Sequence, residues 1–150
     1  MSETVREKLD LGPCDQVGFV YRDINAAIKV FDPLFGPFEI LEYGAFEYDY
    51  RGEKTSCELK LAMGKSGDLE IELIEWVSGG SPHKEFLDRG CEGMHHMRFR
   101  VDNLDEKVAE AEKVGYKAIW TTRYGEGLAV AYLEHSDDPM FIELFENLHA

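Results

Sequence analysis

Cysteine is scarce in this chain, and so are basic residues and long apolar runs. The three cysteines, Cys14, Cys57 and Cys91, are widely spaced, and no Cys-x-x-Cys pair occurs. An odd, dispersed set argues against a disulfide framework and reads as reduced thiols, as expected of a cytoplasmic protein. Lys and Arg total 16 against 30 Asp and Glu, a formal net charge of −14. Phosphate contacts need clustered bases, so no nucleic-acid partner is expected. No apolar stretch approaches the roughly 18 residues of a membrane-crossing helix, so no membrane partner is expected either. The opening residues, MSETVREKLD, are charged and lack the apolar centre of a secretory signal. They are expected to form a loose arm or a short helical turn.

What is present is an internal repeat. Ile71 to Glu75 reads IELIE, and Ile142 to Glu146 reads IELFE. Each is preceded by a matching strand and acidic turn, QVGFVYRDIN from Gln16 and HMRFRVDNLD from His96. A repeat of this kind sets architecture before anything else does. Two copies are too few for a solenoid, so a closed pseudo-symmetric unit is expected. The pairing also matches four side chains able to bind a metal, Gln16 with His96 and Glu72 with Glu143. Each alone reads as an ordinary exposed or structural residue; the match between copies is what singles them out.

The 150 residues, 44% of them hydrophobic, suffice for one compact domain made of two small modules. The boundaries expected are an arm over 1–12, a first module over 13–77, a linker over 78–92 and a second module over 93–150. In the first module a strand over Cys14–Tyr21 leads to a helix over Ile24–Leu34, capped by Asp23 or Asn25 and stopped by Pro33 and Gly36. One long bent strand, or two short ones, spans Phe38–Tyr50 and breaks near Gly44. Thr55–Met63 and Leu69–Trp76 are strands separated by a Gly64-Lys65-Ser66-Gly67 turn. The first module is the longer, with its surplus between Gly44 and Gly67. Ser81 and Pro82 open a short helix through Leu87. The second module repeats the order: a strand over Met94–Val101, a helix over Leu104–Val114 ended by Gly115, then strands over Lys117–Thr122, Leu128–Glu134 and Phe141–Glu146. The fold class expected is α+β, two tandem βαβββ modules whose mixed sheet curls around a metal-binding cleft.

Period two assigns faces. Met97, Phe99 and Val101 share the side that packs on a helix; His96, Arg98 and Arg100 share the other. Glu143 lies between Phe141 and Phe145 on its face, where a carboxylate is costly unless solvated, paired or bound to a metal. Glu72 shares its face with Ile74 and Trp76, and Gln16 shares one with Gly18 and Val20. His95 is expected to point to the helix side or an interface, and His83, His135 and His149 to be structural or exposed.

The duplication, the stretch GMHHMRFRVDNLDEKVAEAEKVGYKAI and the closing FIELFE resemble the vicinal-oxygen-chelate superfamily. That group includes glyoxalase I, methylmalonyl-CoA epimerase, the extradiol dioxygenases and the bleomycin-resistance proteins. The resemblance runs from about Cys14 to Asn147, and the doublet before Met97 is most similar to the epimerase branch. Carried over position by position, it implies Gln16, Glu72, His96 and Glu143 as metal ligands. Epimerases carry His and Gln where this chain has Gln16 and Glu72; the present set resembles that of animal glyoxalases. The glutathione-contacting Arg and Asn of those enzymes are replaced by Val20 and Trp76.

One imidazole, one amide oxygen and two carboxylates suit a single divalent ion such as Zn, Co, Ni or Mn. The chemistry implied is polarisation of a carbonyl and removal of the neighbouring proton, with Glu143 and Glu72 as the candidate bases. Arg98 and Arg100 are candidates to hold a substrate carboxylate or phosphate, and Trp76, Phe141 and Phe145 to wall the cleft. The leading reading is a metal-dependent epimerase or isomerase closest to methylmalonyl-CoA epimerase, acting on an acyl-CoA or another thioester or carbonyl acid. A glyoxalase I-type lyase and a metal-free small-molecule binder are the alternatives. The resemblance also implies a homodimer.

Overall fold

The computed structural model describes residues 4–149. Thr4 and Glu7 form a reciprocal capping box at the start of a short helix, α1 (Val5–Leu9), which ends at Asp10. The rest of the expected arm, residues 1–3, lies outside the described residues. The elements that follow are β1 (Gln16–Val20), α2 (Ile24–Phe35), β2 (Ile40–Glu42), β3 (Phe46–Tyr50), β4 (Glu53–Ser66) and β5 (Leu69–Ser78). Then come α3 (Pro82–Asp88), β6 (Gly93–Val101), α4 (Leu104–Glu112), β7 (Tyr116–Gly125), β8 (Leu128–His135) and β9 (Asp138–Asn147). No helix among the described residues is long and apolar enough to cross a membrane.

The strands form one mixed sheet that closes on itself. Its order is β2-β4-β3-β7-β8-β9-β6-β1-β5, with β5 also paired to β4. The parallel pairs are β1 with β5 and β6 with β9, the two crossovers made through α2 and α4. β1 and β6 join the two halves antiparallel at one seam, and Asp49 and Tyr50 of β3 pair with Thr121 and Trp120 of β7 at the other. Closure removes the free edges that an open sheet would expose.

Helices and ring interior receive opposite strand faces, as period two requires. Outside, Leu73 and Ala62 pack with Ile24 and Ala27 of α2, while Leu133 and Leu144 pack with Leu104 and Ala111 of α4. Inside, Tyr48, Trp120, Tyr132 and Phe141 form the core. α3 presents Phe86 and Leu87 to Val20 and Ile74.

The last residue of each repeat motif explains itself here. Glu75 accepts from the Ile24 amide at 3.0 Å, and Glu146 accepts from the Leu104 amide at 3.0 Å. Each caps the first turn of its module's helix, satisfying an amide that has no partner within the helix. In both copies the first Glu therefore faces the ring and the second faces the helix.

Three expectations need correction. β4 runs through Gly64 to Ser66, and the turn is only Gly67 and Asp68. Gly64 serves packing: a Cβ there would stand 2.4 Å from the Phe38 ring and 2.5 Å from the Phe35 carbonyl oxygen. α2 runs one residue past the expected Leu34 to Phe35, so Pro33 does not stop it, while Gly36 is its C-cap as expected. β7 extends beyond Thr122 to Gly125, paired along its length with β8. The expected surplus of the first module is the β3–β4 hairpin, turned at Arg51 and Gly52, both with positive φ.

Candidate functional site

Four side chains converge over the β1/β6 seam. Gly18 of β1 lies opposite Glu72 on one side and His96 on the other, and Arg98 lies opposite both Gln16 and Glu143. Gly18 has no side chain, and the imidazole of His96 lies across it. A Cβ at that position would meet His96 Cε1 at 2.0 Å.

Three oxygens surround His96 Nε2. Glu143 Oε1 is 3.1 Å away, Glu72 Oε1 3.3 Å and Gln16 Oε1 3.4 Å. The Gln16 amide is aimed by its other end, since Nε2 donates to Glu70 Oε1 at 2.7 Å and leaves Oε1 for the centre. Gln16, Glu72, His96 and Glu143 are all at least nine-tenths buried. A single N–H cannot satisfy three oxygens at once. Burial pushes the His96 pKa down, but Glu143 and Glu72 outweigh it and hold the group at about 9.

Adjacent strand residues ordinarily face opposite ways, yet His95 and His96 meet, Nδ1 to Nδ1, at 3.0 Å. A β-bulge accounts for this. Gly18 pairs with His96 while Phe19 pairs with Met94, so His95 is an extra residue with no partner on β1. Its ring lies against His83 of α3, Phe86 and Phe141, fully buried. The helix side expected for His95 is the face of Met97 and Phe99, which packs on α4; the bulge turns the ring instead towards α3 and His96. His135 accepts from the Asp137 amide and His149 contacts the Glu126 carbonyl, both on the surface side.

The remaining site candidates are placed as follows. Arg98 donates to Asp15 through Nε at 2.9 Å and through a second nitrogen at 3.2 Å, and Arg100 donates to the same carboxylate at 3.1 Å. Both guanidinium groups lie over the Phe145 ring, at 4.8 Å and 5.7 Å. Phe141 is in the ring core. Trp76 donates its indole N–H to the Gly79 carbonyl and packs beside Ile74 and Phe86, with Lys84 over its face. An apolar cleft of about 570 Å³ opens beside the core, lined by Tyr43, Phe46, Leu59, Leu61, Leu128 and Phe145 among others.

One imidazole nitrogen, one amide oxygen and two carboxylates fit an ion of borderline hardness. The two carboxylates would balance its charge, which a buried site requires. Among the described residues no three His, Cys, Asp or Glu side chains are already spaced around an ion; the oxygens close on the imidazole instead. Sequence reasoning missed Gly18, Glu70, Asp15 and His95 as parts of this site. The only available signal was the His-His doublet.

The buried histidines predict a pH dependence of stability for the metal-free chain. Burial, reinforced by neighbouring histidines, drops the pKa of His83 and His95 well below 6.5. Unfolded, both titrate near 6.5, so the unfolded chain binds more protons below that pH. Stability is therefore held above about pH 6.5 and falls as pH drops below it. His96 has the opposite sign: its contribution is full below 6.5 and is lost as pH rises through about 9. Urea melts between pH 5 and pH 9 should give a maximum near neutrality. A flat profile from 6.5 to 5 would contradict the buried neutral pair.

A sequence search of curated proteins finds no match. The profile of the glyoxalase/bleomycin resistance protein/dioxygenase superfamily matches residues 15–132. Methylmalonyl-CoA epimerase of Streptomyces coelicolor, a variant in complex with 2-nitronate-propionyl-CoA, aligns with a TM-score of 0.65 at 21% identity, over 93% of this chain and 97% of that one. Methylmalonyl-CoA epimerase from Mycobacterium tuberculosis aligns at 0.62 and 20% identity, over 91% and 89%. A hypothetical protein from Bacillus halodurans C-125 aligns at 0.64 and 23% identity, over 92% and 96%. At such identities the structural likeness speaks for the fold, and the profile for the ancestry. With the strand-helix-strands order of both halves, four strands after α2 and three after α4, and the ring they form, these findings show that the chain belongs to the glyoxalase/bleomycin resistance protein/dioxygenase superfamily, the vicinal-oxygen-chelate proteins.

Proposed function

We propose that this chain is a metal-dependent isomerase that moves a proton at a carbon next to a carbonyl. The observation that carries this reading is the convergence of Gln16, Glu72 and Glu143 oxygens on His96 Nε2, all within 3.4 Å. Gln16, Glu72, His96 and Glu143 would hold the ion. When bound, a divalent ion such as Zn, Co, Ni or Mn supplies polarisation of a substrate carbonyl, which acidifies the adjacent C–H.

The chain's own residues supply the rest. Glu72 comes from β5 and Glu143 from β9, on either side of the β1/β6 seam. A planar enolate between them has a carboxylate on each face, which suits epimerisation or a 1,2-proton shift. Burial of both carboxylates in a ring walled by Tyr48, Trp120, Tyr132 and Phe141 limits water and strengthens every charge interaction there. Arg98 is the candidate anchor for a substrate carboxylate. Asp15 is its present counter-ion, so an incoming acid must share or displace that pair. Phe145 supports the guanidinium from below.

The likeness to methylmalonyl-CoA epimerases supports a carbonyl acid or its thioester as the substrate class. Two observations favour this over a glutathione-dependent lyase. Val20 is fully buried, and Trp76 is engaged with Gly79, so neither position offers a polar contact to a tripeptide thiol.

The experiment is solvent-deuterium exchange into methylmalonyl-CoA and related 2-substituted carbonyl acids, with protein reconstituted with each of the four metals. Exchange that requires added metal is the expected result. No exchange into any of them, with metal bound, would reject the isomerase reading.

A further inference from the structure

The chemistry proposed above gives no role to His95, a fully buried imidazole in contact with His96. Its Nε2 is 3.4 Å from the Pro82 carbonyl oxygen, which can only accept a hydrogen bond. The proton of neutral His95 therefore belongs on Nε2, and Nδ1 is left as an acceptor. The one polar atom facing that Nδ1 is Nδ1 of His96, at 3.0 Å. It must donate, so its own proton is held on Nδ1. The lone pair of a neutral His96 is then on Nε2, the atom surrounded by Gln16, Glu72 and Glu143.

We infer that His95 is a positioning residue, relaying the fixed direction of the Pro82 carbonyl to His96 so that His96 offers Nε2, and only Nε2, to a metal ion. The inference rests on the metal-binding reading above. Its geometry is secured from three sides. The β-bulge turns His95 towards His96 instead of away from it. His83 stacks on the His95 ring at 4.9 Å, and is itself held by Ser81 and Tyr132. Phe86 meets the same ring edge-on at 5.0 Å. Pro82 opens α3, so its φ is fixed by the ring and its carbonyl is oriented by the helical turn that follows. A neutral imidazole as the outer partner, where many metal sites use a carboxylate, adds no charge to a centre that Glu72 and Glu143 already balance.

The test is zinc affinity, measured by competition with a chromophoric chelator, for wild type, His95→Phe and His95→Asn. Phe keeps a ring and removes the acceptor; Asn places an amide oxygen near the lost Nδ1. The expected result is about 10–100-fold weaker zinc binding for His95→Phe, with most of the loss restored in His95→Asn. Equal affinity in all three would overturn the inference while leaving the metal site standing. No zinc binding by wild type would overturn the metal reading and this inference with it. Should His95→Phe fail to fold, nitrogen NMR on zinc-loaded wild type decides. A proton on His96 Nδ1 with a coupling across the hydrogen bond to His95 Nδ1 is expected. A proton on Nε2, or no coupling, would refute the relay.

Discussion

Gly18→Ala is expected to cost the chain its metal binding, by at least about 100-fold, while leaving the ring assembled. The reason is steric and local. An alanine Cβ would stand 2.0 Å from Cε1, 2.4 Å from Nε2 and 2.7 Å from Nδ1 of His96. No rotamer of a methyl group relieves that, so the imidazole must leave the seam. Once displaced, it loses the three oxygens around Nε2 and the bond to His95 together. Overpacking of this kind costs about 1–3 kcal/mol of stability, which the core clusters on either side of the sheet should absorb. Calorimetric zinc titration and a thermal melt of the same variant separate the two effects. Zinc binding at wild-type strength would mean that the imidazole does not rest on Gly18.

The second large effect is expected at the two carboxylates. Glu143→Gln and Glu72→Gln keep the shape of the side chain and remove the base, and each should lower turnover about 10²–10⁴-fold. Their separate signatures are more informative than the size of the loss. If each carboxylate serves one face of the enolate, a single variant still exchanges the proton of one epimer with solvent while interconversion stops. Glu143→Gln and Glu72→Gln should then be selective for opposite epimers. In the metal-free chain both variants also remove a partner of buried His96, and its pKa should fall from about 9. Turnover and metal content that survive both substitutions would remove enolate chemistry from the account.

Much of this was readable from residues alone because the repeat supplies its own control. Gln16 opens β1 and His96 lies within the equivalent strand β6, Glu72 and Glu143 sit at matching points of the closing strands, and period two puts all four on the face away from α2 and α4. The structure brings these four together within a few ångströms. What could not be read has a common cause: it depends on register. His95 follows the alternation rule on paper and breaks it in the fold, because one extra residue in β6 is invisible until β1 is laid beside it. Asp15, which engages both Arg98 and Arg100, precedes β1 by one residue and lies far from them in sequence. Gly64 reads as turn chemistry and is in fact a strand position cleared for Phe38. Gly18 carries no signal of its own; only the neighbouring imidazole explains it. Even the second Glu of IELIE and IELFE, plain in the sequence, acquires its meaning from the amides of Ile24 and Leu104 that it caps.

A metal held by residues from both modules, as proposed, is tested most directly by its stoichiometry. Wild type and His96→Ala, purified without chelators and dialysed against zinc, cobalt, nickel or manganese, would be assayed by elemental analysis. About one ion per chain in wild type, lost in His96→Ala, is the predicted result. A wild type that takes up no ion under any of these conditions would contradict it, and would leave the apolar cleft lined by Tyr43, Phe46 and Phe145 as the part of the molecule to explain.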